Sequence, residues 1–445
     1  PPFRCQREQR ASLAVRCSLD VIDSTILSRL RCFTFRQRSL PQSLHFTFIH
    51  LCFEDTPENT PGAYPAVITR TQHELANVAG TQEPIYGPEA IQSVARQAEE
   101  TPYTELKKED LKWTAPKYTA VETQTFYAMG DNGGLAMVQV IYSNVAGLHT
   151  TCQFNSKVFS FDDGAPHIWH SDALSNHIFE PDMYSLGADK LALTLNEDGT
   201  SYSVKSAVNA NSLVNLTFTR QTPGLFVGKN GTSYFGTDPA KPWGSMRHAF
   251  WPRCSVEGSI TTKNKTYDFT GRGFFIHALQ GMKPHHAAAR WNFVSCQTPT
   301  YSSFVMEYTT PPSYGSTVVN VGGVVKDGEI LYAGVNNTVK TLETKTDPES
   351  KWPEPKAVKF TWGGKTNDKS DFHAELETVI EKRLDRIDIM SEVPGFIKSF
   401  VGSVAGTKPY IYQYSPQNKP TFKIKEGEKE TTEQGTMFSE ATFIS

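Results

Sequence analysis

A chain of 445 residues, 38% hydrophobic and 20% charged, is long enough for two or three domains with sizeable cores. Its formal net charge of -3 argues against a nucleic-acid binder, which would show a clustered basic surface. No apolar run reaches the ~18 residues of a membrane-spanning helix.

Residues 1–73 read as foreign to the rest. The first lysine is Lys107 and the first methionine Met129, while arginine and serine are frequent and apolar residues follow no sustained period. This segment is expected to be disordered and non-native, with an Arg- and Ser-rich mitochondrial transit peptide as the functional alternative. Four of the seven cysteines, Cys5, Cys17, Cys32 and Cys52, fall here. Cys152, Cys254 and Cys296 alone serve the remaining chain, which is no disulfide framework and favours a reducing compartment.

Residues 74–120 form a helical lead-in. Pro88 suits a first helical position, and Ala90, Ile91, Val94, Ala95 and Ala98 share one helical face. A short helix is expected over 107–112. The body then alternates with period two. Strands are expected at 121–127, 134–142, 150–159, 188–196, 202–208 and 212–220, with Asp198-Gly199 as a hairpin turn. A second series covers 253–260, 266–278, 289–296, 303–309, 316–325 and 329–334, with a turn at Lys326-Asp327-Gly328. Strands at 357–362, 373–380, 383–390, 410–414, 421–425 and 436–443 complete the count. An apolar helix over 394–406, with Phe396, Ile397, Phe400, Val401, Val404 and Ala405 on one face, plugs a barrel end or acts as a lid or membrane-touching element. So many short strands exceed one eight-stranded barrel. The fold class is therefore mainly β, two tandem barrel domains at 121–255 and 256–445 with a few short helices.

The stretch 234–293 is the most unusual. It holds three of the seven tryptophans, Trp243, Trp251 and Trp291, and four of the twelve histidines, His248, His277, His285 and His286. Trp243, Phe250, Trp251, Phe274, Phe275 and Trp291 can supply an apolar wall, with Arg247, His248, Arg253, His277 and Arg290 anchoring a polar head. Core packing at a domain interface reads the same way in sequence.

Catalytic signatures are absent: no G-x-S-x-G, no H-E-x-x-H, no Rossmann fingerprint, and Gly224–Lys229 is one residue short of a phosphate loop. Neighbouring His285 and His286 on a strand would point to opposite faces and lack further ligands, so no metal or other cofactor is expected. An enzyme acting on a hydrophobic substrate, of the hydratase, cyclase or isomerase type, would need a histidine and a carboxylate converging on one cavity. His248, His277, Glu257 and Asp268 are the candidates. A stress-response interaction protein with solid barrels is the remaining alternative.

Long strings carry a resemblance: NVAGTQEPIYGPEAIQSVA at 77–95, VIYSNVAGLHTTCQFNSK at 140–157, TSYFGTDP at 232–239, PWGSMRHAFWPRC at 242–254, GRGFFIHALQGMKPHHAAARWNF at 271–293, EYTTPPSYGSTVVNVGG at 307–323, RLDRIDIMSEVPGF at 383–396, KPYIYQYSP at 408–416 and GTMFSEATFIS at 435–445. From about residue 75 to 445 the chain resembles the fungal oxidative-stress survival factor family. The resemblance implies paired lipocalin-like barrels. It implies a non-enzymatic, cytoplasmic protein that carries ceramide between endoplasmic reticulum and Golgi membranes and supports survival under oxidative stress. It names no catalytic residues. Similar chains begin with a short amphipathic, membrane-touching helix; only residues 74–79 of it are recognisable here, which puts membrane docking by this N-terminus in doubt.

Overall fold

Where alternation is strict in the sequence, the backbone follows it: along Ser212–Arg220, Ser212, Val214, Leu216 and Phe218 turn inward and Leu213 and Asn215 outward. The computed structural model describes residues 70, 72–73, 75–76, 83–161, 166–326, 328–366, 369–392 and 408–445. All of them belong to one compact unit, Thr60–Ser445. The expected helix over 394–406, and residues 1–73 apart from Arg70, Gln72 and His73, lie outside the described residues.

The protein is mainly β, with two lipocalin-like barrels in tandem. A 16-stranded antiparallel sheet builds the first. Its order runs Ile168–Ala173, His149–Val158, Leu135–Val145, Ala120–Gly130, Gly271–Gln280, Gly244–Thr261, Ser212–Arg220 and Ser201–Asn209, continuing to Ile178–Phe179. The sheet curls until Asn209 Nδ2 donates to both Asp172 carboxylate oxygens at 3.2 Å, bringing Ser201–Asn209 beside Ile168–Ala173. Tilted aromatic rings fill its interior. Phe126 lies 4.7 Å from Phe275 and 5.0 Å from Phe218, and Tyr202 lies 5.1 Å from Trp251, centroid to centroid.

Two sheets face each other in the second domain. One has the order Glu329–Gly334, Val318–Lys326, Tyr301–Thr309, Arg290–Gln297, Thr436–Phe443, Tyr410–Tyr414, Asp385–Asp388. The other has Asn337–Thr346, Pro353–Lys365, Asp371–Val379, Thr421–Glu426, Lys429–Gln434. Trp362, fully buried between them, donates its indole N–H to the Phe304 carbonyl at 2.8 Å.

The two domains share a third core. Adjacent aromatic residues on neighbouring strands divide between two faces: Phe126, Trp251 and Phe275 enter the first barrel, while Tyr127, Phe250 and Phe274 leave it. The outward set meets the second domain, with Phe250 4.4 Å from Phe304 and Tyr127 4.9 Å from Phe438. Strands buried on both faces carry continuous apolar runs, which is why this stretch reads as unusual.

Four expectations need correction. The boundary at 255/256 falls inside the strand Gly244–Thr261, and Gly271–Gln280 also belongs to the first sheet, so the chain crosses between domains at 281–289. The helix expected from Pro88 is broken into a 3-10 turn, Pro88–Ala90, and a helix, Val94–Ala98, because the backbone between them pairs as a strand, Ile91 opposite Phe235. His285 and His286 lie on a short helix, Pro284–Ala287, not a strand. Asn337–Thr346 and Lys429–Gln434 are further strands; both lie largely exposed at sheet edges, with no buried apolar face to announce them.

Candidate functional site

Period two also sets the outer face of the first barrel. Phe154, Ser156 and Val158 are buried on one side of their strand, and Asn155 and Lys157 project from the other. Opposite, Asp385, Gln413 and Glu440 are direct cross-strand neighbours in one row of the second domain. Between these surfaces lies a cleft of about 430 Å³, within the ~300–1,000 Å³ of small-molecule sites. Val121, Met137, Ile141 and Trp169 line it from the first domain, and Ile387, Ile411 and Ile444 from the second. Met282, Lys283, Pro284 and His285 border it from the crossing segment.

Gln413 and Glu440 line the cleft, and Lys157 and Asp385 stand behind them in one connected polar set. Lys157, fully buried, forms an ion pair with Asp385 and donates to Gln413 Oε1 at 2.8 Å. Its ammonium also sits 4.8 Å from the Phe159 ring centroid and 5.1 Å from that of Trp169. Gln413 Nε2 donates to Glu440 Oε1 at 2.5 Å. Burial works to raise the Asp385 carboxyl, yet the charge and hydrogen bond of Lys157 bring it below its ordinary range. Glu440 is shifted the other way: burial raises its carboxyl, and Gln413 and Lys157 offset this only in part. Beside this row, Asn155 Nδ2 donates to Gln139 Oε1 at 3.0 Å, and Gln139 Nε2 to Thr125 Oγ1 at 2.7 Å. Asn155 Oδ1 is buried with no hydrogen-bond partner among the described residues. Burial, then the charge of Lys283, pushes His285 down to about 4, so its ring is neutral at pH 7.

The nine residues singled out from sequence lie elsewhere. Trp251 packs inside the first barrel. His277, also fully buried there, meets Glu122 Oε1 at 2.8 Å, and Glu122 accepts from the backbone of Thr114 and Ala115 as well. Arg247 donates to the Asp110 carbonyl at 2.7 Å. Phe250, His248 and Trp291 sit at the domain seam, with the His248 and Trp291 rings 6.0 Å apart. His248 and Phe250 border a space of about 10 Å³, far below any lipid. Arg253 clamps the domains, donating to the carbonyls of Thr298 (3.2 Å), Pro299 (2.6 Å) and Tyr301 (3.3 Å) and to Ser302 Oγ (3.0 Å). Trp243 donates to Tyr314 at 2.9 Å and stacks on His73, which itself meets Glu83 at 2.5 Å. Arg290 is exposed, 5.8 Å from the Phe443 ring centroid.

The four catalytic candidates do not converge. His248 faces the seam and His277 the barrel interior, while Glu257 and Asp268 are exposed. Among the described residues, no group of three or more His, Cys, Asp or Glu is placed to hold a metal ion, and no helix is long and apolar enough to cross a membrane. A larger depression, about 600 Å³, lies mainly on the second domain against Val379, Ile380 and Leu384, with Phe161 of the first domain also lining it. Glu377, Glu381, Lys382 and Lys419 stand around it, so it lacks the long apolar walls of the interdomain cleft.

Comparison with known proteins follows the same outline. The profile of the Svf1 family matches residues 68–445. The Aspergillus fumigatus protein named ceramide-binding protein svf1 is 65% identical over 389 residues, covering 83% of this chain and 98% of its own. Its Schizosaccharomyces pombe namesake is 39% identical over 378 residues, covering 84% and 99%. Among solved structures, CghA with Sch210972 superposes with a TM-score of 0.52 over 74% of this chain and 89% of that one, at 13% identity. That likeness concerns the fold alone.

Proposed function

The chain belongs to the Svf1 family, and from that premise we propose that it binds a ceramide-like lipid in the interdomain cleft. We propose further that it carries the lipid between endoplasmic reticulum and Golgi membranes, in support of survival under oxidative stress. The observation that carries the binding site is the form of the cleft: long apolar walls from both domains, and a polar pair, Gln413 and Glu440, held from behind by Lys157. A ceramide has two hydrocarbon chains that must leave water and a small head whose amide and hydroxyls must stay hydrogen-bonded. The two walls belong to separate sheets, so chains that overfill the cleft can part them without breaking a β-ladder. The relatives' name for their ligand agrees with this reading.

The test is uptake of ceramide with a chain-end fluorophore from vesicles by the purified protein. Tryptophan at Ile141 or Ile411 on the cleft walls should reduce uptake by roughly tenfold or more, since a large ring fills the space the chain would take. Tryptophan at Val379, in the larger depression, should not. Equal uptake by all the proteins would sink the cleft as the site.

A further inference from the structure

Resting on that reading, we propose that Asn155 and Glu440 read the hydrogen-bond donors of the lipid head, so that the cleft selects lipids with a free amide N–H and free hydroxyls and turns away phosphorylated ones. Asn155 is 6% exposed and lines the cleft. Its amide nitrogen is committed to Gln139, leaving Oδ1 as a buried acceptor that nothing in the described structure satisfies. Such an atom is costly to bury unless a donor arrives. Glu440 also lines the cleft, with Oε1 held by Gln413; its second oxygen is a further acceptor. A ceramide head presents one amide N–H and two hydroxyls, which are three donors for these acceptors.

Lys157 would ordinarily invite a phosphate. Here its charge is already met by Asp385 and Gln413 and covered by the Phe159 and Trp169 rings. An entering phosphate would bring negative charge beside the Glu440 carboxyl while supplying few donors to Asn155 or Glu440; Lys283, the lysine on the cleft border, pulls the other way, weakened by the burial that lowers its pKa. A diacylglycerol, with one hydroxyl and no amide, should fall between.

The experiment needs only the native chain. Ceramide carrying a fluorophore at a chain end is displaced by unlabelled ceramide, N-methylceramide, ceramide 1-phosphate or diacylglycerol of equal chain length. Removing the amide proton or adding the phosphate should weaken competition by roughly tenfold or more. Competition by N-methylceramide and ceramide 1-phosphate equal to that of ceramide overturns the proposal. Glu440→Gln should improve ceramide 1-phosphate relative to ceramide, and Asn155→Leu should bring N-methylceramide level with ceramide; unchanged selectivity in folded variants counts against it. Ile411→Trp separates the two readings. If it leaves ceramide binding intact, the cleft itself is the wrong site. If it abolishes binding while the head analogues compete equally, only the head-group inference falls.

Discussion

Lys157 and Gln413 belong to different sheets, 256 positions apart in the chain, and meet at 2.8 Å. That contact fixes the polar end of the cleft and ties the domains where their aromatic seam gives way to open space. Replacing Lys157 by methionine preserves most of the volume but leaves Asp385, Gln413 and Glu440 without their cation. Breaking a buried pair costs about 3–5 kcal/mol; because Asp385 keeps 29% of its side-chain exposure, about 2–3 kcal/mol is expected. Urea unfolding measures it, and a loss below ~1 kcal/mol would mean the pair is incidental.

Arg253 should matter for cohesion and not for lipid. Its guanidinium satisfies three carbonyls and a hydroxyl at the start of the second domain. Arg253→Met should cost about 1–3 kcal/mol, because the buried Thr298 carbonyl loses its donor, whereas the Tyr301 carbonyl keeps the Thr298 N–H and hydroxyl and Ser302 Oγ keeps Gln297. In calorimetry the melting transition should broaden or split as the domains uncouple. Uptake of labelled ceramide per folded molecule should stay within about twofold.

Acid should unfold the protein partly through His248. Burial, then the charge of Arg247, pushes this ring down to about 4, against ~6.5 when unfolded. Between those values the unfolded chain binds more protons, so stability is fully present above pH ~6.5 and is lost as pH falls toward 4. At ~1.36 kcal/mol per pH unit, the window is worth roughly 3 kcal/mol. His248→Gln should flatten the dependence of the urea midpoint on pH between about 4 and 6.5. An unchanged slope would show that His248 is not held neutral.

Gly258 is a backbone requirement within the longest strand. Its φ of 112° is one that residues with side chains rarely adopt, and a Cβ there would stand 2.1 Å from the Asn215 carbonyl oxygen. Gly258→Ala should therefore cost at least ~2 kcal/mol from strain and displacement of Ser212–Arg220. Thermal melting reads this directly; a wild-type melting temperature would remove the argument.

The β pattern was legible because most strands have one buried face: Ser201–Asn209 and Ser212–Arg220 alternate cleanly, and Asp198-Gly199 joins Ser201–Asn209 to Leu191–Leu195 where expected. The stretch 234–293 stood out for a sound physical reason, but composition could not divide its rings between faces. Phe274 and Phe275 are identical in kind, and only register sends one to the seam and the other to the barrel. The cleft was harder to see. Lys157 and Asn155 occupy outward positions of an alternating strand, where polar residues ordinarily meet water. Nothing local says that Gln413 and Glu440, more than 250 positions later, will cover them. The available hint was that residues inward and outward of this strand are followed by the apolar pair Val158 and Phe159, both buried, so neither face was destined wholly for solvent.

The walls of the cleft are joined by side chains and not by a shared ladder, which makes occupancy and domain cohesion linked quantities. A molecule that bridges both walls in the folded state and leaves the unfolded chain alone adds RT ln(1 + [L]/Kd), about 2.7 kcal/mol at a hundredfold excess over Kd. The melting temperature of this protein thereby becomes a gauge of its cargo. Preparations stripped of lipid and preparations carrying it should melt apart, and a partly loaded sample should show two populations with a single sequence.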